Sequence, residues 1–247
     1  REEPEWPVSN QDFDPIQATD IYKKYIDTMV FAEECGFDAA GCNEHHFSPF
    51  GLMSNANLIG SALVQRTSKI KLAMTGSLVP ILNPIRVAEE YAMIDVMSGG
   101  RLMAGLLRGI PHEYVAYNVP PDESRGRLEE ATRLILKTWT EPVPFGWEGE
   151  YYNFRAISIW PRPRQQPHPP LVMSASNEES ARTAARHRAI MGLALIPDFV
   201  AFNNSPIDTT SAPEPIFFNS FSKVRFEFDF TEKHIIGLIA LNALLKV

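Results

Sequence analysis

The sequence predicts an α/β fold of parallel βα units, a TIM-type (β/α)8 barrel that is incomplete or shortened in its first strand and its C-terminal third. Two observations carry this expectation. From residue 20 to about residue 196, short apolar runs alternate with segments of helical periodicity, the pattern of parallel strands joined by crossover helices. The chemically richest stretch, Asn43-Glu44-His45-His46-Phe47, stands where one apolar run ends and the next helix has not begun. In parallel α/β folds ligands sit outside the carboxyl ends of the strands, so this β-to-α loop is where chemistry is expected.

Taken in order, residues 1–19 are polar and carry Pro4, Pro7 and Pro15, and they read as a loop. A helix from Asp20 follows, with Ile21, Tyr25, Met29, Val30 and Ala32 at helical spacing and Gly36 as its stop. No strand is visible ahead of it. Residues 37–42 form a strand, 55–67 a helix with the stripe Leu58, Ile59, Ala62 and Leu63, and 69–79 the next strand. Pro84 opens a helix at its first turn, where the missing N–H does no harm; that helix covers 85–96 and is stopped by Ser98-Gly99-Gly100. Residues 101–107 read as a strand, with Arg108 and Gly109 beginning the loop after it, and 123–140 as a helix.

Residues 141–170 interrupt the alternation. They are rich in proline and glycine but also contain Trp147, Tyr151, Tyr152, Phe154 and Trp160, so a hairpin or ordered lid is expected rather than disorder. Strand, helix and strand then follow at 171–175, 178–187 and 189–196. Beyond Pro197 the chain reads as loop to residue 223, as an alternating strand at 224–230 and as a helix over 231–246. The whole is expected to be one domain, 1–247, since an eight-unit barrel takes about 250 residues.

Composition narrows the functional classes. A net charge of -7 argues against a nucleic-acid footprint, which appears as a basic face. The apolar run at 235–245 is too short for a bilayer, which needs about 20 residues, so no membrane association is expected. Cys35 and Cys42 are the sole cysteines and no signal peptide is visible, which suggests reduced thiols and a cytoplasmic protein. Adjacent histidines on an extended backbone point to opposite sides, so His45 and His46 do not form a metal pair, and no metal is expected. One imidazole facing a ligand, with the other and Glu44 satisfying nearby partners, is the arrangement the local sequence supports.

Several stretches together resemble the bacterial luciferase-like flavin monooxygenase family. They are Glu44-His45-His46-Phe47, Asn83-Pro84-Ile85-Arg86-Val87-Ala88-Glu89, Asp95-Val96-Met97-Ser98-Gly99-Gly100-Arg101-Leu102, Gly105-Leu106-Leu107-Arg108-Gly109, Ser124-Arg125 and Ser174-Ala175-Ser176-Asn177-Glu178-Glu179. They keep the family's order and spacing from residue 20 to about residue 196. The resemblance implies a TIM barrel that uses reduced FMN and O2, with the flavin delivered by a separate reductase, and assembly as a homo- or hetero-dimer. It implies His45 as the acid–base residue, with His46 and Glu44 orienting the site. It places Arg108, Arg125, Ser174 and Asn177 near the flavin phosphate, and Thr75-Gly76 against the flavin ring, sometimes through a cis peptide.

Physical reasoning on the same residues is compatible. A phosphate wants cations and free N–H groups, which Arg108, Arg125 and the helix start at Ser176-Asn177-Glu178 supply. For Arg125 an ion pair on a helix surface remains an alternative, and for Gly76 a simple strand bulge. Met53, Leu78 and Leu107 offer apolar walls for a small organic substrate. Leu107 stands where luciferase itself has a reactive cysteine, so light emission is not implied. Two other readings stay open: an oxidoreductase on the same fold that uses a deazaflavin, and a non-catalytic flavin-binding relative.

Overall fold

The computed structural model describes residues 7–50, 52–192 and 238–240. The first helix, α1 (Pro15–Glu34), starts five residues earlier than its periodicity suggests. The reason is local: the Asp14 side chain accepts hydrogen bonds from Ile16 N and Gln17 N, and Pro15 occupies the first turn, where its fixed φ suits a helix. A side-chain cap opens three later helices as well. Asn55 caps α2 (Ala56–Arg66), Asn83 caps α3 (Pro84–Met97) and Asn177 caps α6 (Glu178–Arg186).

Between these helices lie β1 (Ala39–Cys42), β2 (Lys71–Leu78) and β3 (Leu102–Leu107). A short helix not anticipated from the sequence, α4 (Pro111–Ala116), follows β3 and precedes α5 (Ser124–Thr140). The expected hairpin is present as β4 (Phe145–Glu148) paired antiparallel with β5 (Asn153–Ile157). Then come β6 (Leu171–Ser174), α6 and β7 (Ile190–Gly192); the rest of the strand expected over 189–196 lies outside the described residues.

The strand expected at 224–230 is likewise outside the described residues. Within the helix expected over 231–246 the structure instead places a strand, β8 (Leu238–Ala240), which pairs in parallel with β1 through Ala39 and Leu238, Ala40 and Ile239, and Gly41 and Ala240. A continuous apolar run has no periodicity to separate strand from helix, and here sheet pairing decides. β8 takes the position beside β1 for which no preceding strand is visible.

The sheet order is β7-β6-β3-β2-β1-β8 and every pair is parallel. From β1 to β7 each strand is added beside the previous one, without the reversal of order that marks a doubly wound sheet. This is the progression of a (β/α) barrel, here an incomplete one.

The core lies between the strands and α1, α2, α3 and α5, with Leu63, Leu72, Met74, Tyr91, Leu102, Leu134, Ile135 and Trp139 almost wholly buried. Two polar groups tie down what apolar packing cannot. Arg101, 9% exposed, donates to the carbonyls of Val64, Thr67, Ile70 and Ser98 and to Thr67 Oγ1, closing the C-terminal ends of α2 and α3 with one guanidinium. Glu130 on α5 accepts from Trp147 Nε1 and from the backbone N–H groups of Glu150, Tyr151 and Tyr152, pinning the β4–β5 turn to the helix. Burial pushes its carboxyl up, yet those four donors hold it below the usual range. Among the described residues no helix is long and apolar enough to cross a membrane.

Candidate functional site

The loop after β1 carries Glu44, His45 and His46 at the carboxyl end of the sheet, and the two imidazoles meet different partners. Glu44 and His46 are buried, with 4% and 6% exposure, while the His45 side chain retains 28%. Glu44 Oε1 accepts the Leu78 N–H at 3.1 Å and lies 3.3 Å from His46 Nε2. The Tyr117 hydroxyl lies 3.0 Å from His46 Nδ1. A carboxylate only accepts, so Nε2 carries the hydrogen, and Tyr117 donates to Nδ1. These two partners would hold a neutral His46 ring in one tautomer.

His45 has a different partner, and sequence reasoning missed it. Its Nδ1 lies 3.2 Å from Glu113 Oε1 on α4, and Glu113 has no exposure at all. The same Oε1 accepts the His46 N–H at 3.2 Å, and Oε2 accepts the Ile110 N–H at 2.9 Å. Burial pushes the Glu113 carboxyl up, but the hydrogen bonds from His45, Ile110 and His46 together hold it below its ordinary range. An ionised Glu113 places the hydrogen of neutral His45 on Nδ1 and leaves the Nε2 lone pair for a ligand. The Phe50 ring meets His45 edge-on at 5.0 Å. A local signal for Glu113 did exist: Pro111-His112-Glu113 has the proline and acidic residue of a helix first turn, the acid reaching back to the backbone at its start.

Thr75 and Gly76 sit on β2, joined by a cis peptide. Thr75 Oγ1 donates to Cys42 O at 3.1 Å, linking the middle of β2 to the end of β1. A Cβ on Gly76 would lie 2.4 Å from Met74 O and 2.7 Å from Gly105 O; one on Gly105 would lie 1.9 Å from Met74 O. Both glycines are therefore required by the close approach of β2 and β3, whose register shifts between Met74 and Ser77. The Tyr91 hydroxyl supports this irregularity from below, donating to Gly105 O and accepting from Ser77 N.

Burial raises the Tyr114 phenol pKa, and the positive charges of Arg108 and Arg125 and the Ser124 hydroxyl act against that rise. Ser124 is 1% exposed at the start of α5. Arg125 Nη1 pairs with Glu179 Oε2 at 3.0 Å, so the starts of α5 and α6 are adjacent. Arg108 has no ion-pair partner among the described residues. Ser174 is half-buried at the end of β6, whereas Asn177 is exposed and its side-chain oxygen is engaged in capping: Oδ1 accepts the Ser180 N–H, and Ser180 Oγ accepts the Asn177 N–H. Among the described residues no cluster of His, Cys, Asp and Glu side chains has the form of a metal site.

A family model described as luciferase-like monooxygenase matches residues 8–200. The chain belongs to the luciferase-like monooxygenase family. Relatives include the uncharacterized protein y4wF of Sinorhizobium fredii, 34% identical over 68% of this chain and 50% of that one. The alkanal monooxygenase alpha chain of Photorhabdus luminescens is 28% identical over 75% of this chain and 50% of its own length. The oxygenase component of the flavin-dependent trigonelline monooxygenase of Acinetobacter baylyi is 28% identical over 68% and 47%. The chain thus spans about half the length of the curated relatives it matches. Among solved structures, the monooxygenase RslO1 of Streptomyces bottropensis aligns with a TM-score of 0.67 at 29% identity, over 76% of this chain and 56% of that one. An F420-dependent secondary alcohol dehydrogenase aligns at 0.65 over 79% and 64% with 19% identity, a likeness of fold alone.

Proposed function

We propose that this luciferase-like chain forms the oxygenating site of a two-component monooxygenase, which takes reduced FMN from a separate reductase and inserts one atom of O2 into a small apolar organic substrate. The observation that carries this reading is the His45–Glu113 pair: an imidazole with one nitrogen held by a buried carboxylate and the other left for a ligand, at the carboxyl end of a parallel barrel. The flavin-dependent and alkanal monooxygenases among the relatives support it.

The residues present fit the cofactor. Arg125 at the start of α5, next in the chain to the buried Ser124, and Arg108 in the loop after β3 have the charge that suits a phosphate dianion. In this reading Arg108, Arg125 and Ser174 hold the phosphate, with Asn177 shaping the start of α6, and Thr75-Gly76 supports the ring. Reduced FMN, when bound, supplies two electrons to dioxygen, so that one oxygen atom enters the substrate and the other leaves as water.

The chain's own residues do the rest. His45 Nε2 takes up or delivers the proton of the reacting group, and Glu113 stabilises the imidazolium that forms in between. Glu44, His46 and Tyr117 keep the loop rigid. Met53 and Leu78 are buried and Leu107 is half-buried, an apolar lining that limits access of water. Cys35 and Cys42 are both free thiols, in keeping with a cytoplasmic setting, and the exposed Leu58, Met93 and Met97 on α2 and α3 offer an apolar face for a dimer.

The test is anaerobic titration with reduced FMN, then rapid mixing with oxygenated buffer while flavin absorbance is recorded. Binding followed by flavin oxidation slower than that of free reduced FMN is the expected result. Immediate release of oxidised flavin and peroxide favours a flavin-binding relative without oxygenase activity. Absence of FMN binding, together with binding of the deazaflavin F420, favours hydride transfer.

A further inference from the structure

We propose that Glu179 is an internal competitor for the cofactor phosphate, a carboxylate that occupies Arg125 and thereby sets how tightly, and for how long, a phosphorylated flavin is held. The proposal rests on the FMN reading above and adds to it a residue that weakens binding.

The first turn of α6 carries two acidic residues with different fates. Glu178 is committed to its own helix, pairing with Arg182 four residues on. Glu179 reaches across to α5 and pairs with Arg125 at 3.0 Å. Its place at a helix N-terminus favours the carboxylate there, and the same positive end would favour a phosphate. Of the two cations assigned to the phosphate, then, Arg125 is already paired with a carboxylate, whereas Arg108 has no ion-pair partner among the described residues. A phosphate that takes Arg125 Nη1 must displace Glu179, and one that takes the other guanidinium donors must lie beside its charge.

Such an exchange is feasible because the pair is weak. The Arg125 and Glu179 side chains are 38% and 68% exposed, and an exposed ion pair holds its partners only loosely. A phosphate dianion brings up to two charges and three acceptor oxygens against one carboxylate, so it wins the contest, but with lower affinity than an uncontested pair of arginines would give. Monoanions gain far less from the exchange. For a protein that receives its flavin from solution, reduced, and must release it oxidised, a restrained affinity keeps the flavin exchangeable.

The experiment compares oxidised FMN and riboflavin binding, by fluorescence quenching and by stopped-flow dissociation, in the wild type, Glu179→Gln, Glu178→Gln and Arg125→Ala. Glu179→Gln is expected to tighten FMN about three- to tenfold, chiefly by slowing its dissociation, with a gain that shrinks as salt rises. Riboflavin affinity should stay unchanged, and Glu178→Gln should alter FMN affinity by less than about twofold. Unchanged or weakened FMN binding in Glu179→Gln overturns the proposal, and so does an equal gain in Glu178→Gln or for riboflavin. If instead Arg125→Ala leaves FMN binding intact and the wild type does not distinguish FMN from riboflavin, the phosphate assignment itself falls.

Discussion

Glu113 on α4 and His45 after β1 are 68 residues apart in the chain and 3.2 Å apart in space, the carboxylate wholly buried and the imidazole partly open. A Glu113→Gln substitution keeps the shape but removes the charge that stabilises an imidazolium. Substrate oxygenation is expected to fall about 10²-fold, while the reduced-FMN dissociation constant changes little. Steady-state turnover and anaerobic titration on the same preparation check both halves.

The two histidines should separate cleanly. His45→Ala is expected to lower oxygenation by about 10²–10⁴-fold with flavin binding nearly intact. His46→Ala leaves Glu44 buried without its imidazole and is expected to cost about 2–4 kcal/mol of stability, visible as a lower Tm. Equal turnover in His45→Ala and wild type would remove His45 from the chemistry.

Acid should loosen the joint between α1 and β2. Glu33 accepts hydrogen bonds from the N–H groups of Ser68, Lys69 and Ile70; although burial opposes it, these bonds lower its pKa from 4.5 to about 2. A group whose folded pKa is depressed stabilises fully above its unfolded pKa and loses that contribution as pH falls through the folded one. Stability should therefore decline between about pH 4.5 and pH 2, and Glu33→Gln should flatten that part of the denaturation curve.

Replacing Arg101 by Met keeps much of the apolar stem but leaves the carbonyls of Val64, Thr67, Ile70 and Ser98 without their donor. A loss of about 2–4 kcal/mol in urea denaturation is expected, with an unchanged m-value. Gly105→Ala is the harsher change, because its Cβ would fall 1.9 Å from a backbone oxygen that cannot retreat without separating β2 from β3. That variant is expected to be recovered as insoluble protein.

Much of the fold was legible because its signals are local. Asn55 and Asn83 announce helix starts, Pro84 confirms one, and the aromatic content of 145–157 distinguishes a hairpin from disorder. The start of α1 was missed although Asp14-Pro15 carries the same cap-and-proline signal. At 238–240 the apolar run fits either element, and only its pairing with β1 settles the matter. For the site, Glu44, His45 and His46 could be read from their position at a strand end. The pairing of Glu113 with His45 and of Tyr117 with His46 could not: Pro111-His112-Glu113 signals a helix start, but the contacts span about 70 residues and a six-residue helix has too few turns to show periodicity. The partner of Arg125, Glu179, lies on another helix for the same reason.

The short α4 segment has a mechanical consequence. Glu113 grips His45 and the backbone of His46, Tyr117 just beyond the helix grips the His46 ring, and the Tyr114 hydroxyl donates to Gly109 O, next to Arg108. Less than two turns of helix thus touch the His45–His46 loop on one side and the backbone next to Arg108 on the other. The backbone beside Arg108 and the side chains that hold the His45–His46 loop are thus tied to one short element, so a substitution that displaces α4 is expected to disturb both together.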